Sequence, residues 1–375
     1  MKKLIVLAAV LMALFFLKIK TVRTEDQFYK PLDIGRSAPD FSLVGVDGRT
    51  YTLKDFNSAR ILVVIFTANH CPTAQAYEDR IIQLVKDYRD KGVAIVAISP
   101  NDPKALHLNE LGYTDLSDTY EEMKIRAKDK GFNFPYLYDG DNQKTAHAYG
   151  PVSTPHAFVF DKDRKLRYTG RIDNNERISK ATVSDLRNAL DALMVGKPVL
   201  VATTKTFGCS IKWSEKRESV KQDFENLARE PVGLEPINSQ SIRNLVKNDS
   251  KKLRLINVWA TWCGPCVNEF SELVTINRMY RHRDVEVVSI SSDALDQKDK
   301  VLTFLKEKQA SFRNYQFNVE DNDQLIEAVD KEWPGAVPYT LLVAPGGKVI
   351  HRQMGEIDAL KLRKAIVGYI GRYYK

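Results

Sequence analysis

Two stretches of this chain share one frame, in which an apolar run leads into a cysteine and then into helical periodicity. Residues 256–270 read INVWATWCGPCVNEF, and residues 63–80 read VVIFTANHCPTAQAYEDR. Laid over each other without a gap, the two stretches place Cys71 opposite Cys263. A buried strand that runs directly into a helix is the building unit of a mainly parallel sheet with helices on both faces. The repetition therefore predicts an α/β chain with two successive units of this kind.

The pair Cys263 and Cys266 allows three interpretations: half of a zinc site, a structural disulfide or a redox centre. A structural zinc site commonly needs four Cys or His ligands in two spaced pairs, and the chain has four cysteines with no second such pair. A cysteine in the first turn of a helix has a lowered pKa, because backbone N–H groups and the helix dipole stabilise its thiolate. The pattern therefore favours a redox centre. We expect Cys263 to be exposed and nucleophilic, and Cys266, one turn inward, to attack the mixed disulfide that Cys263 forms.

Length and charge limit the classes of function. The chain has 375 residues, of which 43% are hydrophobic, and this is enough for two ordinary cores. Its formal net charge is +8, but Lys and Arg alternate with Asp and Glu instead of forming compact basic and aromatic blocks. Such scattering is typical of a solvated surface and argues against a nucleic-acid partner.

The N-terminus indicates the compartment. Lys2 and Lys3 precede an unbroken apolar stretch at 4–17, which matches the charged region and short hydrophobic region of a secretory signal. Fourteen apolar residues are few for a bilayer-spanning helix, and no clear small-residue cleavage site follows them. Residues 1–24 are therefore interpreted as a signal peptide or an N-terminal membrane anchor, with cleavage left open. In either case we expect the rest of the chain in the periplasm or cell envelope, where disulfides persist.

The segment WATWCGPC resembles the active site of the thioredoxin superfamily. Within that superfamily, WCGPCVNEF after a membrane-targeting segment is similar to the TlpA/ResA-like periplasmic thiol-disulfide oxidoreductases, and the resemblance covers 231–375. It implies that Val337 and Pro338 form the cis-proline peptide that faces the two cysteines. It also implies that Glu269 tunes the cysteines or transfers a proton. The alternatives are a plain turn at Pro338 and an exposed first-turn acid, favoured by the helix dipole, at Glu269.

The first half of the chain resembles the same superfamily in a longer form. YGPVSTPHAFVF mirrors WPGAVPYTLLV, which places Thr154 and Pro155 opposite the second cis-proline peptide. The segment RSAPDFSLVGVDGRTYTLKDF and the insertion that begins NDPKALH resemble the AhpC/TSA branch, which includes redoxins and peroxiredoxins. We therefore expect two tandem thioredoxin-like folds, each a central mixed sheet flanked by helices. Their expected bounds are 33–195 and 231–375, joined by a charged linker at 196–230.

The cysteine of the first unit departs from the peroxiredoxin pattern. In that family, the peroxidatic cysteine corresponds to the second cysteine position of the frame, which is Ala74 here, whereas Cys71 holds the first. The helix N-terminus still favours a nucleophilic Cys71. We hypothesise that Cys209 folds back to Cys71, as a resolving thiol or in a permanent disulfide. The alternative is that Cys209 is a buried small hydrophobe and Cys71 an independent thiol.

Two histidines flank the same position. His70 precedes the cysteine and His156 follows the cis-proline, and in this fold the two side chains can approach each other. With Cys71 they would make a copper or zinc site, although such histidines more often tune a thiol or form hydrogen bonds. We expect no bound metal and no cofactor.

These features predict an enzyme, a cell-envelope thiol-disulfide oxidoreductase that exchanges electrons with protein disulfides through Cys263 and Cys266. Its expected partners are protein thiols and disulfides and a membrane electron donor. One alternative is an antioxidant protein whose first unit reacts at Cys71 and is reduced in cis by the second unit. Another alternative is a binding protein whose first unit recognises a partner or a metal.

Overall fold

The computed structural model describes residues 30–318 and 322–373, which form two mixed sheets flanked by helices. The segment at 1–24, interpreted as a signal or anchor, lies outside the described residues. Within the two described ranges, no helix is both long enough and apolar enough to cross a bilayer. The predicted α/β class with two successive units is confirmed.

The first unit contains a seven-stranded sheet. Its strands are β1 (Ser42–Gly45), β2 (Thr50–Thr52), β3 (Ile61–Phe66), β4 (Val93–Ser99), β5 (Tyr136–Tyr138), β6 (His156–Phe160) and β7 (Leu166–Gly170). They lie in the order β2-β1-β5-β4-β3-β6-β7. The three strands β3, β4 and β5 are parallel, whereas β6 runs antiparallel to β3. Strand β3 reads ILVVIF and is buried along its whole length, as expected for a central strand covered on both faces.

Four helices belong to the first unit. They are α1 (Pro72–Tyr88), α2 (Tyr120–Lys130), α3 (Lys144–Tyr149) and α4 (Asp185–Met194). Helix α1 follows β3 after a short loop, and its apolar face packs on the sheet through Tyr77, Ile81 and Leu84. A short 3-10 turn continues it to Gly92, whose φ of 77° ends the helical segment in the left-handed region that glycine favours.

The second unit contains a six-stranded sheet. Its strands are β8 (Glu235–Ile237), β9 (Leu253–Trp259), β10 (Val285–Ser291), β11 (Arg313–Phe317), β12 (Tyr339–Val343) and β13 (Val349–Met354). They lie in the order β13-β12-β9-β10-β11-β8. The strands from β9 to β8 in this order are parallel, and β12 and β13 form an antiparallel hairpin at the other edge. The central position of β9 matches that of β3 in the first sheet.

Six helices complete the described chain. They are α5 (Arg217–Ala228), α6 (Ser239–Lys247), α7 (Gly264–Tyr280), α8 (Lys298–Glu307), α9 (Asn322–Val329) and α10 (Ala359–Ile370). Four residues separate the end of β9 from the start of helix α7, which packs on the sheet through Phe270 and Leu273, both fully buried. Phe270 also stacks edge-on against Trp259, the last residue of β9, with ring centroids 4.6 Å apart. The strand and the helix that flank the cysteine pair are thus held together at that point.

The segment predicted as a linker differs from the expectation in its first part. Thr203 forms an isolated β-bridge, a single pair of backbone-paired residues, with Thr169 of β7. Cys209 forms another isolated β-bridge with Thr154. Ile211 is buried in the apolar core of the first unit. The predicted first unit ends at residue 195, whereas pairing and burial with its sheet continue to about residue 213. Of the predicted linker, only the charged stretch that follows, which contains α5, joins the two units along the chain.

The two units are docked through the insertion of the first unit. A 3-10 segment, Leu108–Tyr113, lies against α7, and Leu111 joins the apolar core of the second unit. The hydroxyl of Tyr280 donates a hydrogen bond to the carbonyl of Thr114 at 2.6 Å. Lys364 pairs with Asp129 at 2.6 Å. Apolar burial and polar pairs together hold the units in one arrangement.

Candidate active sites

The cysteine pair of the second unit lies at the N-terminus of α7. Cys263 is the N-cap residue, and the backbone N–H of Cys266 donates to the Cys263 sulfur at 3.2 Å. Pro265 lies in the first turn, where its missing N–H leaves no bond unmade. Cys263 and Cys266 are joined in a disulfide with an S–S distance of 2.06 Å. The structure therefore represents the oxidised form of this pair.

The exposure expected for Cys263 is wrong. The residue is only 6% exposed, and Cys266 is fully buried. Cys263 belongs to the apolar core of the second unit, and the carbonyl oxygen of Val337, in the loop that precedes β12, lies 3.5 Å from its sulfur. The neighbours of the cysteine nevertheless reach solvent: Trp262 is 67% exposed, and Gly264 is exposed as well. Cys263 thus lies just beneath the surface, at the edge of the core.

Both predicted cis-proline peptides are present. Val337–Pro338 is cis in the second unit, and Thr154–Pro155 is cis in the first. Each lies before a strand that pairs antiparallel to the central strand, so its loop reaches the N-terminus of the helix that carries the cysteine. The Cys71 thiol donates to the carbonyl of Thr154 at 3.2 Å, which mirrors the contact at Val337. A plain turn at Pro338 is excluded by this arrangement.

Glu269 is buried beneath the cysteine pair, not exposed on the helix surface. It is 4% exposed, and it lies three residues after Cys266, on the same side of α7. One carboxyl oxygen accepts from the Asn257 side chain at 2.9 Å, and the other accepts from the backbone N–H of Ile357 at 2.6 Å. Burial raises the pKa of Glu269 to about 7 although both hydrogen bonds act in the opposite direction. This carboxyl can therefore change its protonation state near neutral pH.

The cysteine of the first unit lies at the N-terminus of α1 and is fully buried. Cys71 is the N-cap residue, and its sulfur accepts from the backbone N–H of Ala74 at 3.4 Å. Cys209 lies beside it, and its backbone N–H also donates to the Cys71 sulfur, at 3.4 Å. Cys71 and Cys209 are both thiols in this structure. The expected approach of Cys209 is therefore present, while the bond between the two sulfurs is not formed.

A buried histidine and a carboxylate lie next to Cys71. His70 Nδ1 is 2.6 Å from Asp118 Oδ2, and Asn101 donates to the same oxygen at 2.7 Å. Burial disfavours the charged imidazole, but the Asp118 carboxylate outweighs burial and raises the pKa of His70. Burial likewise opposes ionisation of Cys71. The hydrogen bond from Cys209 and the charge of His70 nevertheless lower the pKa of Cys71 to about 6.

The two histidines considered as metal ligands have different surroundings. His156 Nδ1 accepts from the backbone N–H of Val152 at 3.2 Å, and its Nε2 lies 3.0 Å from the Thr169 hydroxyl. Burial lowers the pKa of His156 to about 3, so the ring is neutral. Both of its nitrogens are engaged, and a joint site with His70 would require these bonds to break. Among residues 30–318 and 322–373, no three His, Cys, Asp or Glu side chains are grouped as metal ligands would be.

The polar residues that support Cys71 were not predicted from the sequence. Asp118 follows His70 by forty-eight residues and binds the backbone N–H groups of Asn69 and His70 as well as the imidazole ring. Asn101 lies two residues after β4 and also accepts from the backbone N–H of Lys212. No short motif links these positions. The only signal in the sequence is the run TDLSD within the insertion, where acids stand among small and apolar residues.

Comparisons with known proteins agree with this geometry. Residues 34–169 match the AhpC/TSA family, and residues 238–365 match the Redoxin family. The thiol-disulfide oxidoreductase ResA of Bacillus thuringiensis subsp. konkukian is 27% identical over 137 residues, which are 36% of this chain and 68% of that protein.

Two solved structures resemble one half of the chain. A hypothetical protein of Sinorhizobium meliloti is 34% identical with a TM-score of 0.45, over 50% of this chain and 97% of that one. An uncharacterised conserved protein of Geobacillus kaustophilus is 37% identical with a TM-score of 0.44, over 50% and 95% of the respective chains. One conclusion follows from the family matches, the ResA relatives and the two cysteines at helix N-termini. The chain belongs to the thioredoxin superfamily, joins an AhpC/TSA-type domain to a ResA-like Redoxin domain, and is a thioredoxin-like thiol-disulfide oxidoreductase.

Proposed function

We propose that this chain reduces disulfides of other proteins in the cell envelope, with Cys263 as the attacking thiol and Cys266 as the resolving thiol. The observation that carries the proposal is the position of Cys263. Its sulfur caps helix α7, receives the N–H of Cys266 and lies 3.5 Å from the carbonyl of the cis-proline loop. A sulfur in this position is stabilised as a thiolate and is close to the surface.

The first step is attack by the Cys263 thiolate on a disulfide of the substrate. The S–S bond of the substrate breaks, a bond forms between Cys263 and one substrate sulfur, and the other substrate sulfur leaves as a thiolate. The backbone N–H of Cys266 stabilises the attacking thiolate before the step, because it already points at the sulfur.

In the second step Cys266 attacks the Cys263 sulfur, and the substrate leaves as a dithiol. Cys266 is fully buried and must lose its proton before it can attack. Glu269 lies one helical turn away on the same side of α7, and its pKa of about 7 suits a proton acceptor at neutral pH. We propose that Glu269 takes the proton of Cys266. Electron balance is complete, since the protein dithiol becomes a disulfide and the substrate disulfide becomes a dithiol.

Exposed apolar side chains around Cys263 would bind the substrate chain. Trp262 directly precedes Cys263 and is 67% exposed. Met354 is 60% exposed and lies opposite Tyr339 in the β12–β13 hairpin, beside Pro338. A large exposed aromatic beside the reactive cysteine and a flexible methionine beside the cis-proline loop suit varied protein surfaces more than a single small molecule.

The compartment and the electron donor are also proposals. They are supported by the charged and apolar N-terminal sequence, which resembles a secretory signal. A thiol-disulfide oxidoreductase outside the cytoplasm needs a supply of electrons, and a membrane donor would provide it. Protease added to intact spheroplasts should digest the chain if it is exported and leave it whole if it is not.

The docking of the two domains does not favour reduction of Cys71 in cis. Cys263 and Tyr280 lie at opposite ends of α7, and seventeen residues of helix separate them by about 25 Å. The Tyr280 end contacts Thr114, whose hydroxyl lies 3.4 Å from the carbonyl of Asn69 in the Cys71 loop. The second domain therefore meets the Cys71 loop with the end of the helix opposite to its own reactive pair.

Replacing Glu269 with glutamine should remove the pH dependence of the resolving step near neutrality. In the parent, carboxylate forms as the pH rises through about 7, so the step should accelerate over that range. The amide of Glu269→Gln cannot accept the proton, and the step at pH 8 should be slower by about 10- to 100-fold. Rapid-quench measurement of mixed-disulfide decay between pH 5 and 8 gives the two profiles.

Stability provides an independent readout of the same carboxyl. Because the folded-state pKa of Glu269 lies above its unfolded value, folding is favoured at low pH, and that contribution is lost as the pH rises through about 7. The free energy of unfolding of the parent should fall by about 2 kcal/mol from this group between pH 5 and 8, after partial solvent screening. Glu269→Gln should lack this fall, whereas Glu307→Gln, at an exposed position on α8, should keep it. If the free energy of unfolding falls with pH in the same way for the parent and Glu269→Gln, the fall does not come from the Glu269 carboxyl, and the assignment is refuted.

A stoichiometric transfer experiment tests the proposed function. The reduced full chain is mixed with a disulfide-bonded protein such as insulin, and all thiols are then alkylated and mapped. We expect a Cys263–Cys266 disulfide to form in proportion to the substrate disulfides reduced. Reduction of the substrate while Cys263 and Cys266 remain alkylatable would overturn the proposal, and so would a substrate that stays oxidised.

A further inference from the structure

The segment that carries Cys209 is held tightly against the Cys71 loop. The backbone N–H of Thr154 donates to the carbonyl of Cys209 at 2.9 Å, and the two residues form an antiparallel bridge. At the preceding Gly208, φ is 137°, and a Cβ atom would lie 2.0 Å from the carbonyl oxygen of Thr154. Only glycine permits this approach. The chain therefore returns to the cis-proline loop of the first domain at a fixed register, with Cys209 beside Cys71.

The two cysteines differ in burial. Cys71 is fully buried, whereas Cys209 is partly exposed. The backbone N–H and the side chain of Cys209 both form hydrogen bonds with the Cys71 sulfur. The small side chains of Ala68 and Ala74 complete the cluster around the two cysteines. A disulfide or oxidant that arrives from solvent therefore meets Cys209 before Cys71.

The charged groups around Cys71 favour its thiolate. His70 is held by Asp118, and its Nε2 atom is buried with no hydrogen-bond partner among the described residues. One nearby charge acts in the opposite direction. Lys212, on the same returning segment as Cys209, pairs with Glu110, and its positive charge disfavours protonation of His70. The hydrogen bond from Cys209 and the positive charge of His70 together outweigh burial and lower the pKa of Cys71 to about 6. Cys71, the buried cysteine of this pair, is thus suited to be ionised. Cys209, the more accessible cysteine, is suited to react first.

We propose that Cys71 and Cys209 form a second dithiol–disulfide couple, in which the partly exposed Cys209 attacks the substrate disulfide and the buried Cys71 resolves it. Cys209 loses its thiol proton to solvent and bonds to one sulfur of the incoming disulfide, and the other sulfur leaves as a thiolate. The Cys71 thiolate then attacks the Cys209 sulfur, the second substrate thiolate leaves, and a Cys71–Cys209 bond remains. The domain-one dithiol is oxidised by two electrons, and the incoming disulfide is reduced by two.

This couple does not depend on the pair at Cys263 and Cys266, so the test uses a full chain in which both of these residues are serine. The probe is the aromatic disulfide dithiobis(nitrobenzoate), which releases a coloured thiolate at each step. We expect two equivalents of thiolate per chain and a Cys71–Cys209 disulfide in the peptide map. Recovery of both cysteines with bound nitrobenzoate, or of both unmodified, would overturn the proposal.

Two single replacements in the same background separate the roles of the sulfurs. Cys71→Ser should release one equivalent and keep the other on Cys209, because no resolving thiolate is present. Cys209→Ser should react more slowly by about 100-fold, since the remaining sulfur is buried. Equal rates for the parent background and Cys209→Ser would contradict the assigned order of attack. Thermal unfolding of each variant shows whether it is folded, and the peptide map of the parent background decides the existence of the couple without either replacement.

Discussion

Replacing Cys263 with serine is expected to lower the rate of protein-disulfide reduction by the full chain by about 1,000-fold or more. The attacking species is a thiolate, and a serine hydroxyl is not ionised at neutral pH. Helix α7 and the N–H of Cys266 stabilise negative charge at this position, but their contribution is too small to ionise an alcohol. Multiple-turnover reduction of insulin with a chemical reductant in excess measures the loss.

The matched control is Ser271→Ala, which changes an exposed residue on the same helix. Its rate should stay within about twofold of the parent, because small substitutions on an exposed surface perturb stability and structure little. A Cys263→Ser variant that keeps more than a tenth of the parent rate would show that another thiol carries the exchange. Alkylation mapping of such a variant would then identify that thiol among Cys71, Cys209 and Cys266.

Replacing Arg126 with methionine is expected to reduce the free energy of unfolding by about 3–5 kcal/mol. Arg126 of α2 and Glu78 of α1 are both almost fully buried, and they form two parallel hydrogen bonds of 2.7 Å each. Removal of the guanidinium leaves a buried carboxylate without its principal counter-charge. The same guanidinium donates to Gln75 in the first turn of α1, so the change also loosens the helix that carries Cys71.

Urea denaturation measures this effect, with Lys128→Met on the exposed side of α2 as the control. The control should change the free energy of unfolding by no more than about 0.5 kcal/mol. The double variant with Glu78→Gln should recover part of the loss, since no charge is then left buried. Equal destabilisation by Arg126→Met and Lys128→Met would show that the buried pair contributes no net stability.

Sequence patterns that span a few residues predicted the local structure of both sites. The apolar run before each cysteine, the first-turn Pro265 and the helical periodicity after it are short-range signals, and they specified the strand and helix on either side of Cys263. These features depend on neighbours in sequence, so the sequence shows them directly. The two cis-proline peptides were instead predicted from the resemblance to the thioredoxin superfamily, and the structure contains both.

Contacts between distant segments were not predicted in the same way. The bond between His70 and Asp118 joins a helix-capping loop to an insertion, and no spacing rule connects the two. The predicted end of the first domain lies too early in the chain, because the segment that carries Cys209 has no strand or helix pattern. Isolated β-bridges hold this segment in place. The exposure of Cys263 was wrong for a related reason. Its sulfur lies beside the Val337 carbonyl of another loop, a backbone group that sequence does not mark.

The cysteine that bonds to a protein substrate can be identified directly by trapping the mixed disulfide. The full chain with Cys266→Ser is reduced, mixed with a disulfide-bonded protein and quenched with acid, and the mixed disulfide is mapped by mass spectrometry. Because the resolving thiol is missing, we predict that the substrate remains attached to Cys263. Recovery of Cys263 as an unmodified thiol, while the substrate is bound elsewhere or reduced, would show that Cys263 is not the attacking thiol.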